Sequence, residues 1–352
     1  MLSVKNPIMT GFFPDPSICR VGNKFYTVHS TFAYFPGVPV FESEDLVHWN
    51  LISNVLDRDS QVPLSGCQHS EGIFAPTIRY HKGTWYMITT NVSDQGNFIV
   101  TAKDPRGPWS EPYYLGESTG GIDPSLFFDD DGTCYYIGQR PRSAGYRYNG
   151  DCEIWIQTLD LDTMQLKPDA TIVLTGFQRK AIWPEGPHLY KKDGYYYILH
   201  AESGTSIHHS VMIARSKNVF GPYEYCPCNP ILTHRHLGAQ YPVTCVGHAD
   251  LVDDGNGNWY MVVLACRPNQ GYTLLGRETF LAKVTWEDGW PVVNAGVGHL
   301  EEVVTLPYEG QPSDDVPQCK TYTFDTPSLP LELLTLRNHR EHELVLHAEE
   351  HI

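Results

Sequence analysis

The chain has 352 residues, 41% of them hydrophobic, and its 41 Asp plus Glu against 25 Lys plus Arg give a formal charge of -16. That length and apolar content suffice for one large core or two modest ones and exclude a disordered chain. The negative charge repels phosphate backbones and anionic lipid, so neither nucleic acid nor a membrane surface is an expected partner. The opening run MLSVKNPIMTGFFPDP has no basic stretch followed by an apolar one. No segment approaches the roughly 18 apolar residues of a membrane span, and residence in the cytoplasm is expected. Nine cysteines, an odd number scattered along the chain, read as reduced thiols. Cys226 and Cys228 have no partner pair at finger spacing, so a structural zinc site is not expected.

Taken in chain order, a turn followed by an aromatic-rich strand recurs five times: GNKFYTVHS from Gly22, KGTWYMITT from Lys82, DGTCYYIGQ from Asp131, DGYYYILHA from Asp193 and GNWYMVVLA from Gly257. Each begins with turn chemistry and continues in β-branched and aromatic residues, the pattern of a hairpin. Ahead of each lies the other arm, read as DPSIC from Asp15, APTIR from Ala75, DPSLF from Asp123, EGPHL from Glu185 and HADLV from His248. Behind each lies a third apolar element that ends in a polar turn, beginning at Phe41, Ile99, Ile154, Val211 and Phe280.

The units start 60, 48, 62 and 63 residues apart, enough for four short strands each, and no segment has sustained helical periodicity. Four-stranded units in this number make an all-β propeller, because each sheet buries its faces only against its neighbours. Five blades over residues 1–305 are predicted, with residues 1–14 pairing with the last blade to close the ring and protect its edge. The residues that open the five inner strands, Asp15, Ala75, Asp123, Glu185 and His248, are then expected at equivalent positions around one mouth of the channel.

An Asp-Pro dipeptide alone is more often a turn initiator than a catalyst. Acidic residues at three equivalent places, flanked by Phe12, Phe13, Ile122, Leu126 and Trp183, tilt the reading towards function. Carboxylates held across a cavity suit acetal hydrolysis, in which one protonates the leaving oxygen while another takes a proton from water. A third, nearby, can raise the acid's pKa through like charge.

The runs FFPDPSICRVGNKFYTVHSTFAYFPGVPVFESEDLVHW, GIFAPTIRYHKGTWYM, GGIDPSLFFDDDG, WPEGPHLY and GHADLV resemble glycoside hydrolase family 43, the β-xylosidases and α-L-arabinofuranosidases, over about residues 5 to 305. The resemblance implies a five-bladed propeller and an inverting exo-glycosidase that releases β-D-xylose and/or α-L-arabinofuranose from short xylan-derived oligosaccharides. It implies Asp15 as general base, Glu185 as general acid and Asp123 as the residue that orients the acid and tunes its pKa. It further implies Phe32 and Phe74 as apolar pocket walls, Thr205 and Arg277 as hydroxyl contacts, and His248 near the channel axis. In some similar enzymes that histidine stands beside a calcium ion through water, so a structural or activating calcium is an expectation here, and no cofactor is needed for the chemistry. Core packing is the commoner fate of a Phe, and a surface ion pair that of an Arg.

His208, His209, His234 and His236 have no metal-site spacing. Residues 306–352 resemble the truncated start of a β-sandwich module, or else form a strap over the propeller. Small oligosaccharides are the expected partner, and a homo-oligomer is compatible with the sequence. Two rivals remain at this point. A retaining fructosidase-like propeller would use a nucleophilic Asp, but its WMNDPNG-like opening is absent. An inactive carbohydrate-binding propeller would keep the aromatics without needing all three carboxylates.

Overall fold

The computed structural model describes residues 1–116, 120–176, 179–310, 321–324 and 329–338. Five antiparallel sheets follow one another along the chain, and no α-helix occurs among the described residues. The first blade is Ser17–Val21, Lys24–Val28, Gly37–Ser43 and Asn50–Leu56. The second is Ile73–His81, Thr84–Asn91, Gly96–Ala102 and Tyr113–Tyr114. The third is built on Ile122–Phe128, Cys134–Pro141 and Cys152–Asp160, with Gln165–Leu166 and Thr171–Thr175 both pairing with its third strand. Glu185–Lys192 opens the fourth blade and Thr244–Asp253 the fifth. The five opening strands touch each other in sequence, and the fifth touches the first, so they form the closed inner ring that the repeat predicts.

The core is divided in the same way as the sheets. Trp85 and Met87 of the second blade pack with Tyr26 and Val28 of the first, while Tyr86 and Ile88 point the other way, onto Leu126 and Tyr136 of the third. Period-two alternation thus puts each strand's side chains into two different interfaces. Three further clusters fill the remaining gaps: Ile137 and Ile154 with Ile198, Leu199 and Ile213 with Met261 and Phe280, and Ile18 and Phe25 with Val262 and Leu281.

Ring closure differs in detail from the expectation. Leu2–Lys5 pairs with Val303–Leu306 as a separate two-stranded ladder and does not join the fifth sheet. The link to that sheet is made by Asn6, whose side-chain amide donates to Leu281 O and accepts from Leu281 N, both at 2.8 Å, and by an isolated bridge from Met9 to Thr279. A side-chain amide can reproduce one step of a backbone ladder, and buried at 6% exposure it leaves no edge free there.

Part of the C-terminal segment is described. Thr335–Leu336 pairs with Tyr34–Phe35, Arg337 Nε donates to Cys67 O, and Asn54 Nδ2 donates to Leu331 O. Residues 329–338 therefore lie as a strap against the first blade. Eight cysteines are described, and all are free thiols; Cys319 lies outside the described residues. Of the histidine group, His234 is structural: Nδ1 donates to Val243 O and Nε2 accepts from Leu300 N.

Candidate active site

Four of the five inner strands are bulged near their start, the first being regular. The register slips between Phe74 and Thr77, between Ile122 and Ser125, between Glu185 and His188, and between Gly247 and Ala249. A bulge leaves one residue unpaired and turns its side chain out of the regular pleat. Asp123, Gly186 and His248 occupy that place with φ of 55, 58 and 49°, and Asp15, two residues ahead of the first strand, has the same backbone conformation at 54°. This left-handed region is open to Gly and, at some strain, to Asp and His. The strain is thus repeated around the ring where side chains face the channel mouth.

The equivalence expected from the sequence holds for Asp15, Ala75, Asp123 and His248 and fails for Glu185. Its strand begins Glu-Gly-Pro where two others have Asp-Pro, so Gly186 stands at the equivalent position and Glu185 one residue earlier, beside Phe74 and Ile122 in the register. Gly186 is needed there. A Cβ on it would meet the His248 ring at 2.9 Å, so His248 fills the space that a side chain would occupy. The shift carries Glu185 towards a cleft of ≈ 800 Å³ that is lined also by Gln139, Tyr148, Trp183 and Thr205.

The three carboxyls are held in different states. Asp15 is buried, which alone would raise its pKa, but Arg277, His248 and Ser30 outweigh burial and hold the group below the ordinary carboxylate range. Arg277 Nη1 lies 2.6 Å from Asp15 Oδ1, Ser30 Oγ donates to Oδ2 at 2.6 Å, and His248 Nδ1 stands 3.7 Å from Oδ1. Asp123 is pushed up to about 6, first by burial and then by the charge of Asp15, although His248 and the N–H of Gly186, 3.0 Å from its Oδ2, favour the anion. Glu185 is raised well above the ordinary range by burial and by the charges of Asp123 and Asp15, with only Arg277 opposing. Asp123 accepts a backbone hydrogen bond, so it is the better anion of the pair, and the proton resides on Glu185.

The other expected residues fall on two sides of this trio. Phe32 and Phe74 meet edge to face at 5.0 Å, and the Arg277 guanidinium lies 5.2 Å from the centre of Phe32, so these three stand with Asp15. Thr205 stands with Glu185 in the cleft. His248 lies between, in contact distance of both Asp15 and the backbone that carries Glu185. The flanking apolar shell is thinner than expected: Phe12 and Trp183 are 46% and 39% exposed, so the ring's own burial, more than these two, disfavours ionisation.

Ser30 was not singled out from the sequence. Its N–H bonds Pro14 O across the first hairpin, so counting the hairpin register back from the turn would have found it opposite Asp15. His209, named in the sequence only as part of a histidine group without metal-site spacing, lies beneath the mouth. Its Nδ1 donates to Cys245 O, and its ring rests on Gly247, where a Cβ would meet it at 2.4 Å.

Calcium needs six to eight oxygens, and the groups near His248 do not supply them. The nearest carboxylate, Asp15, is already engaged by Arg277 and Ser30, and among the described residues no three His, Cys, Asp or Glu converge as a metal site. Protein-only coordination does not fit, and no chemical step is routed through an ion.

A five-bladed propeller with one anionic and one protonated carboxyl at its mouth is the scaffold of a carbohydrate-cleaving enzyme. The chain belongs to glycosyl hydrolases family 43, whose family model matches residues 4–291. It is 66% identical over 307 residues to a xylosidase/arabinosidase of Butyrivibrio fibrisolvens, covering 87% of this chain and 59% of that protein. It is 44% identical to a non-reducing end α-L-arabinofuranosidase of Bacteroides ovatus, covering 95% and 61%. Among solved structures, a xylan β-1,4-xylosidase from Bacillus halodurans superposes with a TM-score of 0.85 at 40% identity, covering 95% of this chain and 64% of the other. The chain thus spans about three fifths of the length of the relatives it matches.

Proposed function

We propose that this chain carries an inverting exo-glycosidase that releases β-D-xylose and/or α-L-arabinofuranose from short xylan-derived oligosaccharides. The observation that carries the proposal is the split in protonation: Asp15 is held anionic, and Glu185 is held neutral. In a single displacement, Asp15 takes a proton from water as its oxygen bonds to the anomeric carbon. Glu185 gives its proton to the departing glycosidic oxygen as the carbon–oxygen bond breaks. Asp123 acts through Glu185: its charge keeps the acid protonated, and its bond to the Gly186 N–H fixes the backbone next to it. Arg277 has donors left over after binding Asp15 and can hold a sugar hydroxyl, while Phe32 and Phe74 wall the ring's apolar face.

The relatives' names support both sugars, and hydroxyls around the two anomeric carbons are similar enough that both are retained. The same proposal includes action in the cytoplasm on small oligosaccharides, and residues 306–352 as the start of an appended module of which the strap is the first contact. A water-mediated calcium beside His248, structural or activating, belongs to the same proposal, and the chemistry does not require it. The test is hydrolysis of 4-nitrophenyl β-D-xylopyranoside and α-L-arabinofuranoside by purified protein, with proton NMR of the first anomer released. Turnover with inverted product supports the proposal. A retained anomer overturns the single displacement, and silence on both sugars favours a binding propeller.

A further inference from the structure

Trp183, Gly204 and Thr205 line the Glu185 cleft and also a second pocket of ≈ 600 Å³. The indole rests on Gly204, where a Cβ would meet it at 2.7 Å, so one ring divides two adjoining compartments. The second pocket is cationic. Arg179, Lys180 and Arg235 line it against a single carboxylate, Glu202. Arg179 is already paired with Glu202 and lies 4.1 Å over the Tyr225 ring, which fixes it as wall. Lys180 and Arg235 are exposed and form no ion pair with any described residue. Two uncompensated cations stand together in a chain of net charge -16, and Lys180 is five residues ahead of Glu185 on the same segment.

Concentrated positive charge in a concave wall recruits anions. If Glu185 protonates the leaving oxygen, the sugar units beyond that oxygen extend past Trp183, on whose exposed indole a pyranose face can stack. We propose that the Lys180–Arg235 pocket binds the carboxylate of a uronic acid carried on the leaving-group side, so that acidic xylan-derived oligosaccharides are a preferred substrate class. This rests on the reading of Glu185 as the acid. Arg235 supplies a planar fork for the carboxylate, and Lys180 a mobile point charge.

The test compares kcat/KM for xylobiose with that for xylobiose bearing a glucuronic acid on its reducing-end xylose, in the wild type and in Lys180→Met/Arg235→Met. The wild type should favour the acidic substrate at low salt, and the double variant should lose that preference by about fivefold or more, with xylobiose turnover unchanged. Added salt should erode the preference in the wild type only. The same acidic-to-neutral ratio in both proteins overturns the pocket. Should xylobiose itself not be cleaved by the wild type, the β-xylosidase part of the reading falls, and calorimetry with the acidic trisaccharide then judges the pocket alone. Salt-sensitive binding that the double variant loses sustains it; equal binding, or none, sinks it.

Discussion

Two layers of the same five strands, two residues apart, are built to opposite ends. The upper layer, at the mouth, holds Asp15, Asp123 and His248 on strained backbone, with Glu185 one step off the ring. The lower layer holds Ser17, Thr77, Ser125, His188 and Asp250, all buried. There Asp250 accepts from Ser17 Oγ at 2.9 Å, from Ile18 N at 3.0 Å, from Arg79 Nη1 at 3.1 Å and from the Tyr190 hydroxyl, while Arg79 Nη2 donates to His188 Nδ1 at 3.1 Å. Burial would raise the Asp250 pKa, yet Arg79, His188 and Tyr190 bring it down to about 2. Full satisfaction makes the lower layer a plug that ties four blades together. Incomplete satisfaction leaves the upper layer with a proton it can donate and an anion that can accept one.

The contrast predicts that equal chemical changes in the two layers have different readouts. Asp15→Ala should lower kcat by about 10²- to 10⁴-fold on nitrophenyl and natural substrates alike, because the attacking water loses its base whatever the leaving group. Thermal unfolding should change little beside that loss. Substantial residual turnover in a clean preparation would remove Asp15 from the role. Asp250→Asn should instead destabilise by about 3–5 kcal/mol in denaturant titrations, since it strands the buried Arg79 charge.

The Asp250 effect has a defined pH window. The folded pKa lies below the ordinary 3.8, so its stabilisation is complete above about 4 and is lost as pH falls towards 2. The gap between wild type and Asp250→Asn should narrow over that interval, and a gap that stays constant would dissociate Asp250 from acid stability. Ser30→Ala is the mildest change. Removing its hydrogen bond raises the Asp15 pKa, so the acid limb of kcat/KM should move to higher pH, with less than about a tenfold loss near neutrality. An unmoved acid limb would assign that limb to another group.

Much of the upper layer was legible in the sequence because each blade repeats one hairpin, and the repeat brings Asp15, Asp123 and His248 into register. Glu185 was found with its place misjudged: a bulge is invisible in a linear pattern, and only the fold shows that Gly186 takes the equivalent position to make room for His248. The roles of Phe32, Phe74, Thr205 and Arg277 came from resemblance, since no spacing rule brings Arg277 to Asp15 across 262 positions. The plug was illegible for a similar reason. Arg79, His188, Tyr190 and Asp250 belong to three blades, and each alone reads as an ordinary strand residue. The two cations of the second pocket lie 55 positions apart, Lys180 in a turn and Arg235 in the short 3-10 helix Arg235–Leu237, and likewise meet only in the folded chain.

The most direct test of the protonation split is the leaving-group dependence of Glu185→Ala, measured as kcat on xylobiose and on 4-nitrophenyl β-D-xylopyranoside in parallel. A nitrophenolate departs with little protonation, so loss of the acid should abolish xylobiose cleavage and spare much of the nitrophenyl turnover. Equal losses on the two substrates would contradict Glu185 as the proton donor.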